Sequence, residues 1–216
     1  MNGRFSPQAK MLIKASFIGA FAEAMFVPVY AIFTDRIGGS ILDAGVGFAI
    51  FSIATGIFVL SVGSTAWFHR HVRAMVFWGF VISALGDFGY ILVRNTYQLF
   101  AVQVVVGAAL GMLNPAWDSL YSTDGRKDDA ATRWSLWTGG VALLTGVAAL
   151  AGGLIVARLG FTTLFTLMAV LDLVAASCAA QVWFGRTEAR SDGSPPWRSS
   201  VEERSVDAEL VLSDSD

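Results

Sequence analysis

Cysteine and histidine are nearly absent from this sequence: Cys178 stands alone, and His69 and His71 are the two histidines. A lone thiol excludes a disulfide framework, and no Cys or His set has metal-ligand spacing, so neither a metal nor a cofactor is expected. No glycine-rich loop ends in Lys and Ser or Thr, and GVG at 45–47 lies inside an apolar run, where it is no nucleotide fingerprint. No nucleophile–base constellation appears, which sets an enzyme aside. Charge is scarce as well: Asp, Glu, Lys and Arg make up 15% of 216 residues with a net charge of −2, and no nucleic acid partner is expected.

What fills the chain is apolar. Hydrophobic residues make up 55% of it, and the mean hydropathy is +0.59. A spanning helix needs ~20 mainly apolar residues to cross ~30 Å of hydrocarbon. Six stretches qualify: 11–33, 41–67, 73–93, 97–121, 134–157 and 161–184. None shows the strict alternation of a barrel strand, so an all-α, polytopic bundle of six transmembrane helices over residues 1–184 is predicted in a lipid bilayer. The first stretch is long and contains Glu23 and Pro28, which reads as a retained span rather than a cleaved signal. Residues 185–216 turn polar and acidic, with paired prolines, and are expected to form a disordered cytoplasmic tail, solvated or docked on a partner. The segment 122–133 could add a short surface helix.

With six spans, both termini and the 2–3 and 4–5 loops share one side. Lys10, Lys14, Arg70, Arg73, Arg126, Lys127 and Arg133 fall there, against Arg36, Arg94 and Arg158 on the other. The positive-inside rule then puts both termini in the cytoplasm of a cell (inner) membrane protein. His69 and His71 read as part of a solvated basic loop, and Trp67, Trp134 and Trp183 as interfacial anchors.

Span 1 carries GAFAEAMFVPVY at 19–30 and span 4 carries GAALGMLNPAWD at 107–118, each with Gly-Ala and then Met-x-x-Pro. These spans cross in opposite directions, so the echo is that of two inverted three-helix repeats, with Pro28 and Pro115 as paired helix kinks. Interrupted helices at matching places in two inverted halves point to a transporter's binding site.

Helical spacing sorts the polar residues onto faces. Gln103, Gly107, Gly111, Asn114 and Asp118 form one stripe of span 4, and Ser16, Glu23 and Tyr30 recur every seven residues in span 1. Both read as cavity walls, against the alternative of polar packing between helices. Gly45, Ala49, Ser52, Gly56 and Gly63 give span 2 a small-residue face, and Gly139, Ala142, Gly146, Ala149 and Gly153 give one to span 5; both read as packing faces. Glu23 and Asp172 fall near mid-span, and Asp87 lies on a stripe with Gly79, Ser83 and Tyr90. No Lys or Arg stands at that depth, so these carboxyls either carry a proton or meet water, a cation or a cationic solute. An anionic solute is disfavoured.

Six spans, PVYAIFTDRIGGS closing span 1, Gly63 at the 2–3 loop, QVVVGAALGMLNPA in span 4 and AGGLIVARLGF from span 5 into span 6 together resemble one half of a major facilitator superfamily transporter. Three positions depart from that pattern. Trp67 stands where the family's loop Asp would be, Gln103 replaces the span 4 Arg, and the span 5 motif survives as Ala148, Ala149, Gly152 and Gly153. The resemblance implies that spans 1 and 4 line a cavity, spans 2 and 5 face a second half, and spans 3 and 6 support from outside. The function expected is secondary active transport of a small solute by alternating access, coupled to a proton or cation, by a parallel homodimer. Glu23, Tyr30, Gln103, Asn114, Asp118, Asp87 and Asp172 are its expected binding residues. The alternative is a non-transporting scaffold or sensor built on such a half.

Overall fold

The computed structural model describes residues 7–63, 65–123 and 130–189, and all secondary structure among them is helical. The elements are α1 (Pro7–Phe26), a 3-10 turn (Val27–Val29), α2 (Tyr30–Arg36), α3 (Ile41–Gly63), α4 (Ala66–Leu92), α5 (Thr96–Thr123), α6 (Ala130–Leu159) and α7 (Phe161–Ala189). With α1 and α2 taken together, six helical segments among the described residues are long and apolar enough to cross a bilayer. The expected tail at 185–216 begins within α7, which continues to Ala189; its remainder at 190–216 and the loop at 124–129 lie outside the described residues.

Local chemistry sets the ends of these helices. Gly38, at φ 84°, turns the chain out of α2 in the left-handed region that a side chain disfavours. Ser40 and Asp43 then cap α3 reciprocally: the Ser40 N–H donates to Asp43 Oδ2 at 2.8 Å, and the Asp43 N–H to Ser40 Oγ at 3.2 Å. Asn95 Oδ1 accepts from the Gln98 N–H at 3.0 Å at the start of α5. Gly160, at φ 85°, carries the chain between α6 and α7, its N–H reaching the Ile155 and Val156 carbonyls.

The boundary between spans 2 and 3 moves as well. Span 2 stops at Gly63 rather than at 67, and the basic HRHVR segment belongs to the first turns of α4 instead of a loop. Thr65 is the reason, since its Oγ1 accepts from the Phe68 N–H at 3.3 Å and so starts the helix before the basic residues.

Lipid tails are as apolar as Leu, so helices in a bilayer associate through close packing more than through a hydrophobic drive. Glycine supplies the closeness. A Cβ on Gly107 would stand 2.6 Å from the Phe51 carbonyl oxygen, and one on Gly111 would stand 2.7 Å from the Thr55 carbonyl oxygen, so α5 lies directly on α3. Gly79 of α4 is as tight against Leu113 of α5, and Gly152 of α6 abuts the Met25 carbonyl of α1. Phe26, Tyr90 and Phe165 interlock where α1, α4 and α7 meet, with ring centroids 4.9–5.1 Å apart.

Burial divides the spans. The most apolar windows of α1–α2, α4, α5 and α7 are 39–50% buried, while those of α3 and α6 are 6% and 11% buried. The small-residue faces expected to pack therefore have no neighbour within the described chain: Gly45, Gly56, Gly139 and Gly146 have nothing within 4 Å of a Cβ position.

Candidate functional site

Two cavities lie along the inner face of the bundle, of about 300 Å³ and about 120 Å³. Glu23 of α1, Ser83 of α4 and Asp172 of α7 line both, and so form the wall they share. The larger cavity extends from this wall past Phe80 to Ser16, Asn114, Trp117, Asp118 and Trp137. The smaller extends the other way, to Tyr30, Phe48, Asp87, Tyr90 and Gln103. Among the described residues, no Lys, Arg or His lines either one.

Each of the seven polar residues expected to bind lines one or both cavities. Asp87 and Asp172 are 3% and 4% exposed, whereas Asn114 and Asp118 are open to solvent. Asp172 has the Ser83 hydroxyl as a hydrogen-bonding neighbour. Glu23 and Asp87 have no hydrogen-bond donor among the described residues, and the three carboxyls act electrostatically on one another. They do not converge closely enough to hold a metal ion. Such a wall can exchange protons with cavity water or face a diffuse cation.

Gln103, at the position where the resembled pattern has Arg, is 4% exposed and accepts from the Tyr90 hydroxyl at 3.0 Å. The Tyr30 hydroxyl is buried without a partner of hydrogen-bonding geometry, with Gln103 and Thr34 as its polar neighbours. It fits because α3 carries Gly47 opposite: the hydroxyl fills the space of the missing Cβ. The two prolines behave differently. Pro28 sits in the 3-10 turn that separates α1 from α2, whereas α5 continues through Pro115 as α-helix.

The span 4 stripe splits in two. Gln103, Asn114 and Asp118 face the cavities, while Gly107 and Gly111 serve contact with α3, so packing wins at those two positions. Spans 3 and 6 do more than support from outside, because α4 and α7 deliver Ser83, Asp87 and Asp172.

Sequence reading passed over the aromatic wall of the larger cavity. Trp117 and Trp137 lie with ring centroids 4.2 Å apart, and Phe17 stacks on Trp137 at 5.2 Å. Trp117 Nε1 donates to the Leu12 carbonyl at 3.4 Å. Trp134, read as an interfacial anchor, also meets Trp117 and Tyr121 edge-on. A signal was present: Trp117 follows Asn114 by three residues and adjoins Asp118, on the same side of α5. Arg133, read as a loop charge, is 4% exposed; it donates through Nη2 to the Tyr121 carbonyl at 2.7 Å, and the Tyr121 hydroxyl donates to the Arg133 carbonyl at 2.7 Å. This reciprocal pair ties the end of α5 to the start of α6.

The structure is similar to a solved POT family transporter, PepTSo, with a TM-score of 0.69 at 16% identity over 83% of this chain and 37% of that one. It is similar also to an auto-inhibited POT family peptide transporter, with a TM-score of 0.70 at 16% identity over 84% of this chain and 37% of that one. The chain thus spans little more than a third of the length of either. No curated protein sequence matches it significantly. At that identity the likeness shows the fold, a multi-pass helical membrane fold. The sequence model of the Major Facilitator Superfamily matches residues 12–213, nearly the whole chain, and the protein belongs to that superfamily of membrane transporters.

Proposed function

We propose that this chain acts as one six-span half of a secondary transporter that moves a small solute by alternating access, coupled to a proton or cation through Glu23. The observation that carries the reading is the shared wall: Glu23 and Asp172 face both cavities, with no basic residue among the described residues that line them. A lone charge at mid-bilayer costs ~3 kcal/mol on insertion scales, so a bound proton or cation is the natural counterpart. The two cavities then share one titratable layer, and an occupant of one changes the protonation that the other meets. The second half is supplied by another copy in a parallel two-fold dimer, which covers the open faces of α3 and α6. The distribution of basic residues supports cytoplasmic termini and a cell (inner) membrane location.

The test is solute-driven proton movement in proteoliposomes, read by a lumenal pH dye while quaternary ammonium ions, sugars and carboxylates are added in turn. At least one solute, cationic or neutral, is expected to move protons, and Glu23→Gln is expected to lower that flux tenfold or more while the protein still folds. Undiminished flux in the variant would remove Glu23 from the coupling step.

Gln103 favours a second reading, a non-transporting scaffold or sensor. Its carbonyl already holds the Tyr90 hydroxyl, so the span 4 position offers no free charge for coupling. No flux with any solute, together with a phenotype that survives Glu23→Gln and is lost on removing residues 186–216, would select it.

A further inference from the structure

The larger cavity differs from a general polar vestibule in how its walls are divided. One flank is aromatic, made by Trp117 and Trp137 with Phe80 nearby, and the ends carry Glu23 with Asp172 on one side and Asp118 on the other. The indoles are held in place: Trp117 by its hydrogen bond to the Leu12 carbonyl, and Trp137 by the Phe17 ring stacked 8° from parallel. Trp117 is 5% exposed, stacked on Tyr121 at 4.6 Å and packed on Trp137, so the two indoles offer the cavity a rigid apolar rim that suits the body of a ligand.

The carboxyl end independently calls for an occupant. Glu23 has no donor among the described residues, and Asp87, on the far side of the shared wall, is 3% exposed and likewise has none. Among the described residues the carboxyls do not cluster tightly enough for a metal ion, which favours a proton or a charge carried on a larger body. A volume of about 300 Å³ is at the small end of ligand sites and exceeds what a bare ion needs.

We propose that this cavity binds a monovalent organic cation with an apolar body, an alkyl- or arylammonium whose charged nitrogen faces Glu23 and Asp172 while its body lies on Trp117 and Trp137. The proposal rests on the transport reading for its biological use, but binding is measured without transport. Asp118, open to solvent at the far end of the cavity, offers the first carboxylate such a cation meets.

The probe is benzyltrimethylammonium, with benzyl alcohol and benzoate as neutral and anionic counterparts of similar body. Binding to the purified protein in lipid nanodiscs is followed by tryptophan fluorescence and by calorimetry, with empty nanodiscs subtracted. Saturable binding of the cation is expected, at least tenfold tighter than that of either counterpart. Glu23→Gln and Trp137→Leu should each weaken it about tenfold, and Trp137→Phe, which keeps a ring, should restore most of the loss. Asp118→Asn, at the exposed entrance, guards against misfolding as the explanation and should weaken binding two- to fivefold. Equal binding of the alcohol, or a signal unchanged by all of these variants, would overturn the proposal as simple partitioning into lipid. No saturable cation binding, beside proton flux driven by another solute, would overturn it while leaving the transport reading standing. Competent probe binding without any flux would uphold it and remove the transport reading instead.

Discussion

At the scale of single residues, the Gly47–Tyr30 pair shows how an apolar span makes room for a polar group. The Tyr30 hydroxyl occupies the place of a Gly47 Cβ, while the ring carbon that bears it is 3.5 Å away, an ordinary contact. Only the hydroxyl oxygen therefore conflicts with an added methyl group. Gly47→Ala is expected to destabilise the protein by about 1–3 kcal/mol through overpacking. Tyr30→Phe removes the oxygen, so the double variant should regain most of that loss, a coupling readable from thermal unfolding of the four proteins in detergent. Additive losses would mean that the two residues do not meet. The same hydroxyl is buried without a hydrogen-bonding partner, so Tyr30→Phe alone should cost little stability.

At the scale of helices, glycine means opposite things at Gly107 of α5 and on the outer face of α6. Gly107 lies against the α3 backbone, whereas Gly139 has nothing within 4 Å. Gly107→Val should separate α5 from α3 and lower the thermal midpoint of the detergent-solubilised protein by several degrees, while Gly139→Val should leave it within error. A similar fall for both would show that the α6 face is covered within one chain. This difference was not legible in the sequence, although much else was. Six spans, their faces and the seven cavity residues followed from apolar length and helical period, because each of those signals lies within one helix. The stripe holding Gln103, Gly107 and Gly111 has one face in sequence but two neighbours in space, α3 and the cavity. The start of α4 depended on a single Thr65 cap. The Trp117–Trp137 wall joins α5 to α6 and the Arg133–Tyr121 pair spans the same two helices, and such pairings have no period to reveal them.

At the scale of the molecule, the unequal burial of the spans sets the question of what completes it. Four spans have windows 39–50% buried and two have windows 6% and 11% buried. A helix that faced only lipid would gain nothing from small residues, since larger side chains cover the backbone better there; rows of Gly and Ala let another helix approach closely. On α3 and α6 those rows point away from the bundle, at Gly56 and Gly146 among others. The surface they form runs beside both cavities, because Phe48 of α3 and Trp137 of α6 line them. A second copy docked there would close the cavities from the side. Gly56→Trp and Gly146→Trp should therefore turn a dimer into a monomer by native mass spectrometry in nanodiscs, with thermal stability of the monomer retained and solute-driven proton flux lost. If the wild-type protein is already a monomer, the covering half is not a second copy of this chain. If the bulky variants stay dimeric and active, the copies meet elsewhere and the α3–α6 face belongs to lipid.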